Sequence, residues 1–133
     1  MKQKKLDQMA AVTEAQYLRE HAKIKPILDA EAAVRGKLTK LDAQMKDTRQ
    51  QGEQDHAMRA LGADLLWQGW HSRMRRQLNI ELAQVTARKL MAMDQVRKAF
   101  GRKHAVQTMA DQERKQQKME RAKKLEAQLL GHS

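Results

Sequence analysis

Apolar residues recur at alternating steps of three and four through the first third of this chain. Such a spacing is satisfied by a long helix lying along another. One set of positions reads Ala10, Tyr17, Ile24, Glu31, Leu38 and Met45. The other reads Leu6, Thr13, Glu20, Ile27, Val34, Leu41 and Thr48. Nine of these thirteen are apolar, and the spacing holds over six heptads. A strip this narrow fits a coiled-coil seam, not the broader face of a globular helix. Its weak points are Glu20 and Glu31, carboxylates that are costly in a seam unless Lys or Arg meets them from across it. Pro26 removes one backbone bond and predicts a bend or loosening near His21 to Lys25. Gly36 is a further weak point, about 1 kcal/mol poorer than alanine in a helix.

The rest of the sequence supplies a partner for that seam. Its 133 residues suffice for one domain, and aromatics make up only 3% of them, which argues against a broad globular core. Strong helix formers dominate, and no run alternates in the manner of a strand. The expected fold is all-α: two long helices in an antiparallel coiled-coil hairpin with a projecting C-terminal helix, monomeric when free. Helix one covers about 2–50, the turn and tip about 51–70, and helix two about 70–129. The polar run DTRQQGEQD, Asp47 to Asp55 with Gly52, is the expected break, and Gly69 a kink. The stripe of helix two reads Met74, Leu78, Leu82, Val85, then Met93, Val96 and Phe100. The long step from Val85 to Met93, with Lys89 inside it, predicts a slip from the strict heptad. Beyond Phe100 the stripe thins. Asp111 to Glu126 holds ten charges in sixteen positions, too polar to be held by a two-stranded seam.

Two features point toward partners. The stretch HAMRALGADLLWQGWHSRMRRQ, His56 to Gln77, gathers Trp67, Trp70, Leu61, Leu65 and Leu66 beside Arg73, Arg75 and Arg76. Aromatics at a helix turn either lock the turn or form a docking knob. The expected docking residues are Leu66, Trp67, Trp70, Arg73, Met74 and Arg76. The second feature is charge: the net charge is +11 and the pI about 10.2, which calls for an anionic partner. A basic belt runs from Arg73 through Arg75, Arg76, Arg88, Lys89, Arg97, Lys98 and Arg102 to Lys103. It reads either as a solvated coiled-coil flank or as an anion footprint, with few aromatics interleaved for nucleic-acid stacking.

Chemistry finds no foothold. There is no phosphate-binding glycine loop and no HExxH, and cysteine is absent. The five histidines, His21, His56, His71, His104 and His132, are not spaced as helical metal pairs and read as solvated. No catalytic residue, cofactor or metal is expected. The nine methionines read mainly as core filling. No apolar run is long enough to span a bilayer, and no apolar leader follows the basic start, so no membrane insertion is expected.

The size, the two long helices, the tip near mid-chain and the basic second helix resemble the FliJ/YscO family of stalk proteins from flagellar and related type III secretion export machines. The most suggestive residues are LGADLLWQGW, Leu61 to Trp70, and RKAFGRKHAV, Arg97 to Val106. The resemblance is one of architecture and covers nearly the whole chain. It implies a non-enzymatic cytoplasmic stalk at the cytoplasmic face of the secretion apparatus. Its tip would reach the cytoplasmic domain of the export-gate membrane protein, and its joined termini would sit in the hexameric export ATPase. Some family members also escort secretion chaperones. The terminal residues assigned to the ATPase are Lys2, Lys4, Lys5, Arg114, Lys115, Lys118, Arg121, Lys123 and Lys124. Flagellar export is preferred to virulence-type export. The chain is somewhat short for the family, and Pro26 matches no family pattern. The competing class is a basic helical nucleic-acid-binding or nucleoid-associated protein.

Overall fold

A computed structural model describes residues 1–54, 57 and 62–131, with the side chains of 52–54 excepted. Every element among them is helical: α1 spans Lys2–Ala22, α2 Ile24–Gln54 and α3 Ala63–Gly131. The interruption at Lys23 follows from Pro26. Proline in the first turn of α2 needs no hydrogen bond there, but it offers none to Ala22, where α1 ends. Lys23 keeps right-handed helical dihedrals, and its N–H donates to the Glu20 carbonyl at 3.2 Å. The break expected at Asp47 to Asp55 is not found in its described part, because α2 continues through Gln54; Asp55 lies outside the described residues. Helix two begins at Ala63, seven residues before the expected start, and passes through Gly69 without interruption. It is 69 residues long. Gly62, directly before it, has φ +69°, a backbone that glycine adopts without a Cβ clash. The Gly62 carbonyl then accepts the N–H of Leu66 at 3.3 Å.

Two compact units make up the chain: a middle unit, Ile24–Ala92, and a terminal unit, Met1–Lys23 with Met93–Ser133. In the middle unit Val34, Leu41 and Leu78 form the core, flanked by Leu38 and Leu82. Cross-helix partners run in opposite directions, Glu31 with Lys89 and Asp42 with Arg75. In the terminal unit Leu6, Ala99, Val106 and Ala110 are buried. The same opposed order recurs, Asp7 with Arg114, Glu14 with Lys103 and Tyr17 with Phe100. All thirteen heptad positions of α1 and α2 are buried or half-buried. Thr13 tolerates its place because its hydroxyl donates to the Met9 and Ala10 carbonyls of its own helix, at 2.9 and 3.1 Å.

The slip expected in helix two does not occur. Burial along α3 keeps a strict seven-residue step through His71, Leu78, Val85, Ala92, Ala99 and Val106. A parallel series runs through Leu82, Lys89, Val96, Lys103 and Ala110. Met93 and Phe100, counted as stripe residues from their size, turn outward at 46% and 51% exposure, and Ala92 and Ala99 take the seam. A helix pair can approach closely over alanine, so small residues mark the seam here and large ones its flank. The methionines correct the core-filling expectation as well. Met1, Met9, Met74, Met91, Met93, Met109 and Met119 are all exposed, and only Met45 is half-buried among those described. These placements give a direct test of register. Ala99→Leu should overfill the seam and cost about 1–3 kcal/mol. Phe100→Ala should cost about 1 kcal/mol, most of it the edge-on contact with Tyr17 at 5.9 Å. Chemical denaturation of the two variants measures both, and the reverse ranking would restore the slipped register.

Candidate functional site

The first turn of α3 sets the aromatic surface. Asp64 lies in that turn, where its charge suits the positive end of the helix dipole, and its carboxylate accepts the Leu65 N–H at 2.9 Å. Leu66, Trp70 and Met74 follow at steps of four, so they share one face of the helix. They are 78%, 43% and 36% exposed, and Leu65 beside them is 69% exposed. Arg73 and Arg76 are exposed as well. Trp67 is on the inward side. It is half-buried with its ring 5.4 Å from that of His71. The expected docking residues therefore divide: Leu66, Trp70, Arg73, Met74 and Arg76 are accessible, and Trp67 packs. Leu61 and His56 lie outside the described residues.

His71 corrects the reading of the histidines as solvated. It is only 3% exposed, and its Nε2 lies 3.2 Å from the Leu41 carbonyl. A carbonyl only accepts, so the proton is on Nε2. The buried imidazole thus has a backbone partner across the helix pair. Its spacing held the clue, because His71 stands seven residues before Leu78. His21 and His104 are exposed and stand against Tyr17 and Phe100, with ring centroids 5.8 and 6.1 Å apart. His132 is outside the described residues.

The belt turns out to be largely engaged. Lys89 enters the seam and meets Glu31, with Nζ 2.9 Å from Oε2 and 3.2 Å from Oε1. Lys103 meets Glu14 at 2.8 Å and lies 4.6 Å over the Tyr17 ring. Arg75 pairs with Asp42, and Arg97 and Lys98 both pair with Asp94. Five of the nine belt cations thus have carboxylate partners. Glu20, the other acidic seam residue, is met by Lys23, the residue after the end of its helix, at 3.2 Å.

At the termini the structure sorts the expected ATPase contacts. Arg114 is held by Asp7 and Asp111, and Lys2 reaches Glu113 at 3.5 Å. With Ala110 buried and Glu113 and Gln117 half-buried, α3 stays packed through Gln117. For its first seven residues this corrects the expectation that Asp111 to Glu126 is too polar to be held, and the remainder is exposed as expected. From residue 118 to 131 every residue is exposed. Lys115, Lys118, Arg121, Lys123 and Lys124 are exposed and have no carboxylate partner among the described residues, and Lys4 and Lys5 are likewise exposed. No cluster of three potential metal ligands occurs among the described residues, and no helix there is long and apolar enough to cross a membrane.

Comparison with protein-family models, with curated proteins and with solved structures finds no match to this chain.

The seam pair carries a pH signature. The hydrogen bond from Lys89 holds the Glu31 carboxyl below its ordinary value of 4.5, against desolvation that raises it, with further help from the charges of Lys89 and Arg35. A carboxylate depressed in the folded state stabilises above its unfolded value, and that contribution is lost as pH falls through the folded one. Wild type should therefore melt above Glu31→Gln at neutral pH, and the gap should narrow in acid, as pH falls below the ordinary glutamate range. Thermal melts at neutral and at acid pH measure it; a gap unchanged by acid would remove the charge from the explanation.

Proposed function

We propose that this protein is the non-enzymatic central stalk of a type III protein export machine, flagellar in preference to virulence-type. In this reading the chain is an antiparallel coiled-coil hairpin with a projecting C-terminal helix. The stalk works in the cytoplasm at the base of the secretion apparatus. Its termini engage the export ATPase hexamer, and its aromatic tip engages the cytoplasmic domain of the export-gate protein. Support comes from the resemblance in architecture and from what lies at the two candidate surfaces. The observation that carries the proposal is the fully exposed cationic helix of residues 118–131. A helix that continues about 20 Å past its last packed residue has no folding reason to be ordered and charged. A pore lined with carboxylates supplies one, since positive charge speeds encounter with such a partner.

Seven exposed methionines add soft, adaptable contact area, which suits the escort of secretion chaperones. The nucleic-acid alternative is weakened by the engaged belt: Lys89 and Lys103 are turned into the seam.

Truncation after Gln117 separates the readings. Every described residue it removes is exposed, so the helical signal per residue and the melting temperature should hold. Stimulation of the export ATPase should disappear. Stimulation that persists at ordinary salt overturns the stalk reading. At the other surface, Trp70→Ala should weaken binding to the export-gate domain by about 2 kcal/mol, the scale of a hot spot, with stability unchanged. Calorimetric titration beside a thermal melt measures both, and loss of binding matched by loss of stability would make Trp70 a packing residue.

A further inference from the structure

A cleft of about 450 Å³ opens in the middle unit between the end of α2 and the start of α3. We propose that it binds a phosphate group, as free phosphate or pyrophosphate or as the headgroup of a lipid. The inference does not rest on the stalk reading. Three cations from two helices wall the cleft: Lys46 and Arg49 from α2, and Arg75 from α3. The Ser72 hydroxyl and the Gln50 amide add neutral hydrogen-bond donors. The size lies in the range of small-ligand sites. The ordering also fits, because Lys46, Arg49 and Gln50 stand at steps of three and four on α2, and Ser72 and Arg75 at a step of three on α3.

The cleft has one resident anion. Asp42 Oδ1 lies 3.3 Å from Arg75 Nη1, with both side chains about half exposed. An exposed single-oxygen pair of this kind contributes little to stability. It also leaves Nε and Nη2 of the guanidinium for a second anion. A tetrahedral phosphate can take two parallel bonds from Arg75 and further charge from Arg49 and Lys46, which a lone aspartate cannot match. Asp42 therefore acts as a weak placeholder that positions Arg75 and yields it. His71 also borders the cleft. Its Nε2 proton is committed to the Leu41 carbonyl, so the buried ring serves as a floor and not as a ligand. Ser72 and Arg75 also line a neighbouring shallow cleft of about 500 Å³ that carries Arg76 and Asn79. A ligand with two phosphates can span from one to the other.

The test uses the full-length protein with two probes. Inorganic pyrophosphate is titrated calorimetrically, and phosphatidylcholine vesicles carrying phosphatidic acid are used in co-sedimentation. Binding of pyrophosphate assigns the site to free phosphates, and binding of vesicles alone assigns it to a lipid headgroup. Either supports the proposal if it depends on the cleft. The double variant Arg49→Gln, Arg75→Gln should lose at least about tenfold in affinity, the scale of one charge-assisted hydrogen bond. Asp42→Asn, which removes the competing carboxylate, should bind more tightly. The control Lys25→Gln, Lys37→Gln makes the same charge change on exposed residues of α2 that do not line the cleft, and should bind as wild type. Thermal melts check that each variant folds. No binding of either probe at about 1 mM, or equal losses in the cleft and control variants, would overturn the proposal.

Discussion

Everything in this chain depends on a seam too narrow to bury a large side chain completely. Among the described residues none is fully buried, and the core consists of leucine, valine and alanine in single file. Two helices side by side shield one strip of each and leave the rest in water. Stability must then come from length, with many partly buried positions each contributing a little. The same geometry explains the polar members of the seam. Glu31 and Lys89 are tolerated because their charged ends meet each other while staying within reach of solvent, with 13% and 24% of the side chains exposed. An acid and a base facing each other at a single level also favour one alignment of the helices over its neighbours, as polar core residues do in other coiled coils.

A protein built in this way has a large surface and little interior, so its candidate sites are external. The aromatic face at the start of α3 and the cationic end of the same helix both consist of residues the seam does not use. The separation is physical. Wherever a cation found a carboxylate across the pair, as Lys103 did with Glu14 or Arg114 with Asp7, it became part of the scaffold. Wherever it lies past the last packed level, as Lys123 and Lys124 do, it remains available to something else. The proposed phosphate cleft lies between these cases, since Arg75 is paired but half exposed and its partner is weakly held.

The seam of α1 and α2 could be read from sequence position by position, because the spacing of branched and aromatic residues there is regular and the helix is the local answer to it. The seam of α3 could not. Size misled at Met93 and Phe100, since hydrophobicity ranks them above alanine while close packing prefers Ala92 and Ala99. Lysine misled at position 89, where a charged residue reads as exposed until its partner is known. His71 was taken as solvated for the same reason: its acceptor is a backbone carbonyl thirty residues away, which no local pattern announces.

Composition and periodicity by themselves determined that the chain is helical, that its helices are long, that Pro26 interrupts the first of them and that cations exceed acids. These are local properties, set by propensity, backbone sterics and the repeat of apolar residues. Which cations are spent and which are free was decided only by tertiary structure, and so was the place where α3 ceases to be packed. Both depend on which residue of one helix stands level with which residue of the other. That level is set by the summed fit of the whole seam, alanines and the Glu31–Lys89 pair included, and no single stretch of the chain contains it.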